Sequence, residues 1–349
     1  MPSDQWHEAL LPDENAQHEE QARVFMEMQR KRSEKYGTGR ALHRKQVAGL
    51  RASFAVEEDL PGYAAQGIFA APSLYEAHVR LSNGGFDVSA DWAPGVRGFA
   101  IKVFGVSSVS TAGAEQNFTM INQEILRVKN SAEFVGIVDV ATSAPGAALR
   151  KVVRKPGVAL SAVANFRDMK RPFTGFATQD FFSIMPIAFG GYAARLRLCA
   201  ASTVINTEAS NDWAADVYGR LAEGDLEFIV QAQFFEDEDR TPIENPAVRW
   251  EAPWLTVARL RVPSQAVDTA LAEAVEKSSF DPWTAVPEHR PLGELMRARK
   301  AAYSVSRRGR TGGAHAPGPS GPAARPAGRT NPTGGTNPAG GSAMPPGPG

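Results

Sequence analysis

Seven short stretches of the chain alternate apolar and polar residues with a period of two: residues 50–56, 77–82, 99–104, 118–122, 193–199, 228–234 and 255–262. That period sets successive side chains on opposite faces of an extended strand. Many short strands of this kind predict an antiparallel sandwich or barrel. Helical spacing is expected within residues 145–180, around 211–222, in 264–277 and across 292–308, the last bounded by Pro291 and Gly309 as start and stop residues. Residues 1–36 are charge-rich and place Val24 and Met28 on one helical stripe, which predicts an N-terminal helical arm. From residue 311 to 349 the chain is rich in Gly and Pro and almost lacks large apolar residues to offset ordering entropy, so a disordered tail is expected after a main domain over 37–310.

Composition narrows the classes of partner. A chain of 349 residues with 43% hydrophobic content can bury one large core. Its 38 basic and 38 acidic residues cancel, so the molecule as a whole offers no strong field for nucleic acid or an anionic membrane, and a small neutral partner is expected. The sole cysteine, Cys199, excludes an intrachain disulfide and an all-cysteine metal site, and it suits a reducing compartment. With a polar N-terminus and no apolar run long enough to span a bilayer, a soluble, unexported, cytoplasmic protein is expected. No Walker loop, dinucleotide fingerprint or HExxH motif is present, and the acidic run at 236–239 reads as a hydrated loop.

A few positions could carry chemistry. Arg299 and Tyr303 are four residues apart and share a helical face, where a guanidinium beside a phenol favours the phenolate. Arg307 continues that face and Arg310 follows Gly309. Alone, such a segment is more often a solvated helix face. Arg80 and Ser82 point to one side of their strand, Val79 and Leu81 to the other. An arginine directed into a barrel interior needs an anion, such as a cofactor carboxylate; the plain alternative is a strand with one wet face. Asn122 shares a side with Phe118 and Met120, as either a pocket hydrogen-bonding group or a strand-end turn residue. His43 stands three residues after Arg40, and a neutral imidazole there could take a proton from one substrate atom and return it to another.

In order along the chain, these pieces resemble the haem catalase family, particularly its short, mini-catalase branch. Arg40-x-x-His43-x-Lys45 is similar to the family's distal histidine segment, and Arg80-Leu81-Ser82 to its RFS strand. SADWAPGVRGFAIK at 89–102 keeps the family's SAD, gap, RGFA and lysine. QNFTMINQEILRVKN resembles the strand that supplies the distal asparagine, carried onto Asn122, with Asn117 as an alternative alignment. FFSIMPIAFGGYAARLRL resembles the short-form approach to a barrel strand. Arg299-x-x-x-Tyr303 with Arg310 seven residues on is similar to the proximal tyrosine helix. The likeness covers roughly 37–310. It departs at QVAGLRAS, which replaces a glycine-rich stretch, at the missing HRHMNGYG segment, and at Asn122-Gln123-Glu124 where the family has NxP.

The resemblance implies an α+β fold, a catalase-like antiparallel β-barrel with flanking α-helices enclosing one haem b. It implies Tyr303 as the proximal iron ligand, made anionic with the help of Arg299. His43 and Asn122 become the catalytic pair, Arg40, Arg80 and Arg310 the propionate contacts, and Ser82 the hydrogen-bonding partner that fixes His43. The implied activity is cleavage of hydrogen peroxide through a ferryl intermediate, by catalase or peroxidase chemistry. An enzyme converting organic or lipid hydroperoxides and a non-catalytic haem-binding barrel are the alternatives. The resemblance leaves homo-oligomerisation open.

Overall fold

The computed structural model describes residues 1–85, 88–106, 114–143, 145–154 and 156–311. Apart from Thr311, the expected disordered tail lies outside the described residues. Antiparallel strands β1 (Lys45–Val56), β2 (Leu74–Gly84), β3 (Val96–Val106) and β4 (Ala114–Ile121) form a meander. β5 (Phe181–Phe182) pairs with both β4 and β7 (Tyr192–Ala200). β8 (Leu226–Phe234) and β9 (Trp254–Val262) continue from β7 and return to β1, which closes an eight-stranded barrel. A further three-residue strand, β6 (Ile187–Phe189), pairs with β7.

The period-two pattern builds this wall. Leu50, Val79, Ile101 and Phe118 are cross-strand partners in register, and all four face the packed interior. That interior is filled: the rings of Phe54 and Phe118 stack at 5.9 Å, and Phe69 and Phe189 at 4.9 Å. The opposite face carries Arg80, Ala100 and Thr119 in one register row and Ser82, Gly98 and Ile121 in the next. Arg80 and Ser82 therefore do not point into the barrel, as a cofactor-filled interior would require. Nor do they face bulk solvent. They are buried on the outer face of the wall, beneath helices.

Those helices are α1 (Glu14–Tyr36), α2 (Ser131–Ala141), α3 (Pro145–Arg154), α4 (Pro156–Met169), α5 (Trp213–Glu223), α6 (Thr269–Lys277) and α7 (Glu294–Thr311). The side chains of Asn130, Asp212 and Asp268 accept hydrogen bonds from backbone N–H groups three residues on, so α2, α5 and α6 each begin on a satisfied cap. α1 packs along α7. Gly309 does not end α7, which runs on to Thr311. A Cβ at Gly309 would lie 3.0 Å from the Gln29 amide, which donates to the carbonyls of Gly39 and Ser306. The glycine permits close approach of α1 and α7; it is not a helix stop.

Candidate functional site

His43 lies between α1 and β1 with φ of +49°, a left-handed conformation that costs a non-glycine residue on the order of 1–3 kcal/mol. Arg80 compensates for it by donating Nη2 to the His43 carbonyl at 2.9 Å. The imidazole then rests on the outer barrel wall because two glycines leave room. A Cβ at Gly84 would approach the ring to 2.3 Å, and one at Gly98 to 2.5 Å. Nδ1 is 3.1 Å from Ser82 Oγ, which in turn is 3.5 Å from the Gly98 carbonyl. With Ser82 donating to that carbonyl, its oxygen accepts the Nδ1 proton, and Nε2 carries the free lone pair. Burial, followed by the positive charges of Arg80, Arg299 and Arg40, lowers the His43 pKa to about 3, so the ring is neutral at ordinary pH.

Tyr303 approaches from α7. Arg299, one turn earlier, donates Nη2 to the phenol oxygen at 3.0 Å and reaches Thr119 Oγ1 on β4 at 3.4 Å. Arg40, Arg80 and Arg310 gather nearby. Arg40 and Arg80 share the single carboxylate of Glu276 at the end of α6: Arg40 meets Oε1, and Arg80 donates Nε and Nη2 to Oε2 at 2.9 and 2.8 Å. Burial lowers the pKa of all three arginines. One carboxylate against four guanidiniums leaves a surplus of positive charge around the space.

His43, Ser82, Arg40, Arg80, Arg299, Tyr303 and Arg310 all line one cavity of about 690 Å³ between the outer wall and the helices. That is within the roughly 300–1,000 Å³ of pockets that enclose small ligands and cofactors. Asn122 is not among the lining residues. β4 ends at Ile121, and the Asn122 amide oxygen accepts the backbone N–H of Arg97 at 2.7 Å, which makes it a strand-end residue. Asn117 is also elsewhere, with Nδ2 donating to the Asp281 carbonyl at 3.0 Å. Arg307 lies 3.9 Å from Asp281. The SAD and RGFA residues act as a brace. Asp91 holds Lys45 and Asn83 at 2.6 Å, and Arg97 donates to the carbonyls of Asp91 and Ala93.

Sequence reasoning missed Glu276, the two glycines beneath His43 and the apolar lining from α2 and α4, including Val135, Ile137, Val163 and Phe166. Among the described residues no cluster of three His, Cys, Asp or Glu side chains could hold a metal ion. Among the donors that line the cavity are the Tyr303 phenol and the His43 imidazole. A haem suits this set in its chemistry: the glycine-floored ring, a phenol held by a guanidinium, apolar walls and a cationic rim complementary to carboxylates.

No family model and no curated protein sequence matches this chain. Its fold is similar to solved catalase structures. A fungal catalase superposes with a TM-score of 0.64 at 16% identity, over 89% of this chain and 65% of that one. Catalase A from Saccharomyces cerevisiae gives 0.62 at 14%, over 89% and 68%. A bacterial catalase gives 0.61 at 17%, over 89% and 63%. This chain thus spans about two thirds of the length of each. The similarity shows the fold: an eight-stranded antiparallel barrel of the catalase type, with its helices laid against the outer wall.

Proposed function

We propose that this chain is a haem-dependent oxidoreductase that cleaves peroxide. The observation that carries the reading is that His43 and Tyr303 line one cavity, each with its orienting partner, Ser82 and Arg299, in hydrogen-bonding reach. The similarity in fold to catalases supports it. Tyr303 would hold the iron through its phenolate oxygen, which Arg299 stabilises by charge and a donated hydrogen bond. Arg310, together with Arg40 and Arg80, would face the propionates; Glu276 already engages the latter two. Bound haem supplies the two-electron chemistry of O–O cleavage. His43 supplies the proton movement: Nε2 takes the proton from one peroxide oxygen and returns it to the oxygen that leaves as water. Two molecules of hydrogen peroxide then yield two of water and one of dioxygen, with no outside reductant.

A second reading has its own observation. Beside the residues that would hold haem, the cavity is walled by apolar side chains of α2 and α4, which suits an organic hydroperoxide reduced to its alcohol by an external electron donor. Oxygen release from hydrogen peroxide by the haem-loaded protein, compared with donor oxidation driven by cumene hydroperoxide, separates the two. Protein with a full haem complement that does neither would be a haem carrier, and the enzymatic reading would fail.

A further inference from the structure

The chain is neutral as a whole, but its charge is not evenly spread. Residues 145–171, which hold α3 and α4, contain seven Lys or Arg and a single acid, Asp168. Arg150, Arg154, Arg167, Lys170 and Arg171 are all exposed. Asp168 is engaged by Arg127 at 2.6 Å and by Arg171 at 3.0 Å. The same two helices expose large apolar side chains: Val153 is 73% exposed, Leu160 75%, Val163 69% and Phe166 54%. On α4 the last three recur at spacings of three residues, opposite the buried Val158 and Asn165, so they form a stripe and not isolated surface positions.

Val163 and Phe166 belong to this stripe and to the cavity lining at once, so the stripe borders the cavity. An exposed apolar stripe flanked by basic side chains is the pattern of a helix that lies in the headgroup region of a bilayer. The basic flank chooses anionic lipid over neutral lipid.

We propose that the α3–α4 face docks on an anionic lipid surface and seats the cavity mouth against it, so that a fatty-acid hydroperoxide passes from the bilayer into the cavity. The docking stands by itself; the identity of the ligand as a hydroperoxide rests on the peroxide chemistry proposed above.

The test uses the full-length, haem-loaded protein sedimented with phosphatidylcholine vesicles, with and without phosphatidylserine. Binding to the serine-containing vesicles is expected to be at least about tenfold the stronger and to fall as salt is raised. Arg150→Glu/Arg154→Glu/Arg167→Glu and Val153→Asp/Leu160→Asp should each lose about tenfold in binding, with unchanged thermal unfolding and unchanged consumption of dissolved hydrogen peroxide. Equal binding to both vesicles, no binding, or variants that bind as wild type would overturn the docking. So would a wild-type dimer that Val153→Asp/Leu160→Asp dissociates, since a second copy would then own the face. With a soluble phenolic electron donor supplied, the wild type should reduce linoleate hydroperoxide embedded in the vesicles to its alcohol faster than the charge-reversed variant does, and equal rates would sink the delivery route. Intact docking without turnover of any peroxide would remove the chemistry and leave the surface.

Discussion

The barrel interior and the cavity outside it each hold a buried histidine, and the two are buried for different ends. His289 packs edge-on against the stacked rings of Phe69 and Phe189, at 5.2 and 4.9 Å. Both of its nitrogens are committed to backbone: Nε2 accepts from Ile68 N–H at 3.1 Å, and Nδ1 faces the Ala188 carbonyl at 3.3 Å. His43 has Ser82 on Nδ1 and lines an open space. Burial lowers the pKa of both, to about 4 for His289 and about 3 for His43. A displaced pKa therefore does not separate a packing histidine from the one proposed to move protons. What separates them is the second nitrogen, spent on backbone in one and left to the cavity in the other.

Exchanging the two substitutions should break the symmetry most visibly. His43→Ala is expected to retain haem and the wild-type melting curve while peroxide cleavage falls roughly 10²–10⁴-fold. His289→Ala should do the reverse. It leaves a void among aromatic rings and strands the Ile68 N–H, at about 2–4 kcal/mol in denaturant titration, with turnover per folded holoprotein unchanged. A loss of rate in His289→Ala comparable to that in His43→Ala would contradict the division.

A smaller effect is expected from the floor under His43. Gly98→Ala inserts a methyl group into space held by the ring, and a displaced base should lower kcat about 10–100-fold while the haem spectrum persists. An unchanged kcat would show that the ring need not rest on the wall.

The mildest contrast lies in pH. Because His43 stays neutral down to about pH 3, kcat/KM should be flat from about pH 8 to about pH 5, with no limb near the ordinary histidine value of about 6.5. Stability behaves otherwise. In the unfolded chain both histidines take up protons below about pH 6.5, whereas in the folded chain they do not until about pH 4 and about pH 3. Their stabilisation is complete above pH 6.5 and is lost progressively as pH falls toward those values, which chemical denaturation at stepped pH would follow. His289→Gln should lessen that slope; an unaltered slope would remove His289 as its source.

The parts of this site that sequence exposes are the local ones. Arg299 and Tyr303 meet because four residues make one helical turn, and Arg80 and Ser82 share a face because strands alternate. The period-two stretches match seven long strands, whereas β5 and β6, of two and three residues, are too short to show a period. α2 hides because SAEFVGIVDVA is apolar and rich in β-branched residues, which suits a strand as well as a helix. Glu276 reaches Arg40 and Arg80 across 236 and 196 positions, and no local pattern marks it. Asn122 had the parity of an interior residue, but the strand stopped one position earlier and its amide turned back to Arg97. Which side of the wall faced the pocket required the closed barrel: alternation divides a strand into two faces without saying which one is inside. Whole-chain neutrality likewise concealed the basic α3–α4 face.

The most direct test of the account is the absorption spectrum of the haem-reconstituted protein beside that of Tyr303→Phe. The wild type should show a high-spin ferric spectrum with phenolate ligation, and Tyr303→Phe should lose that signature together with most of its haem affinity. A phenolate-type spectrum that survives the substitution unchanged would contradict Tyr303 as the iron's ligand, and with it the placement of haem between Tyr303 and His43.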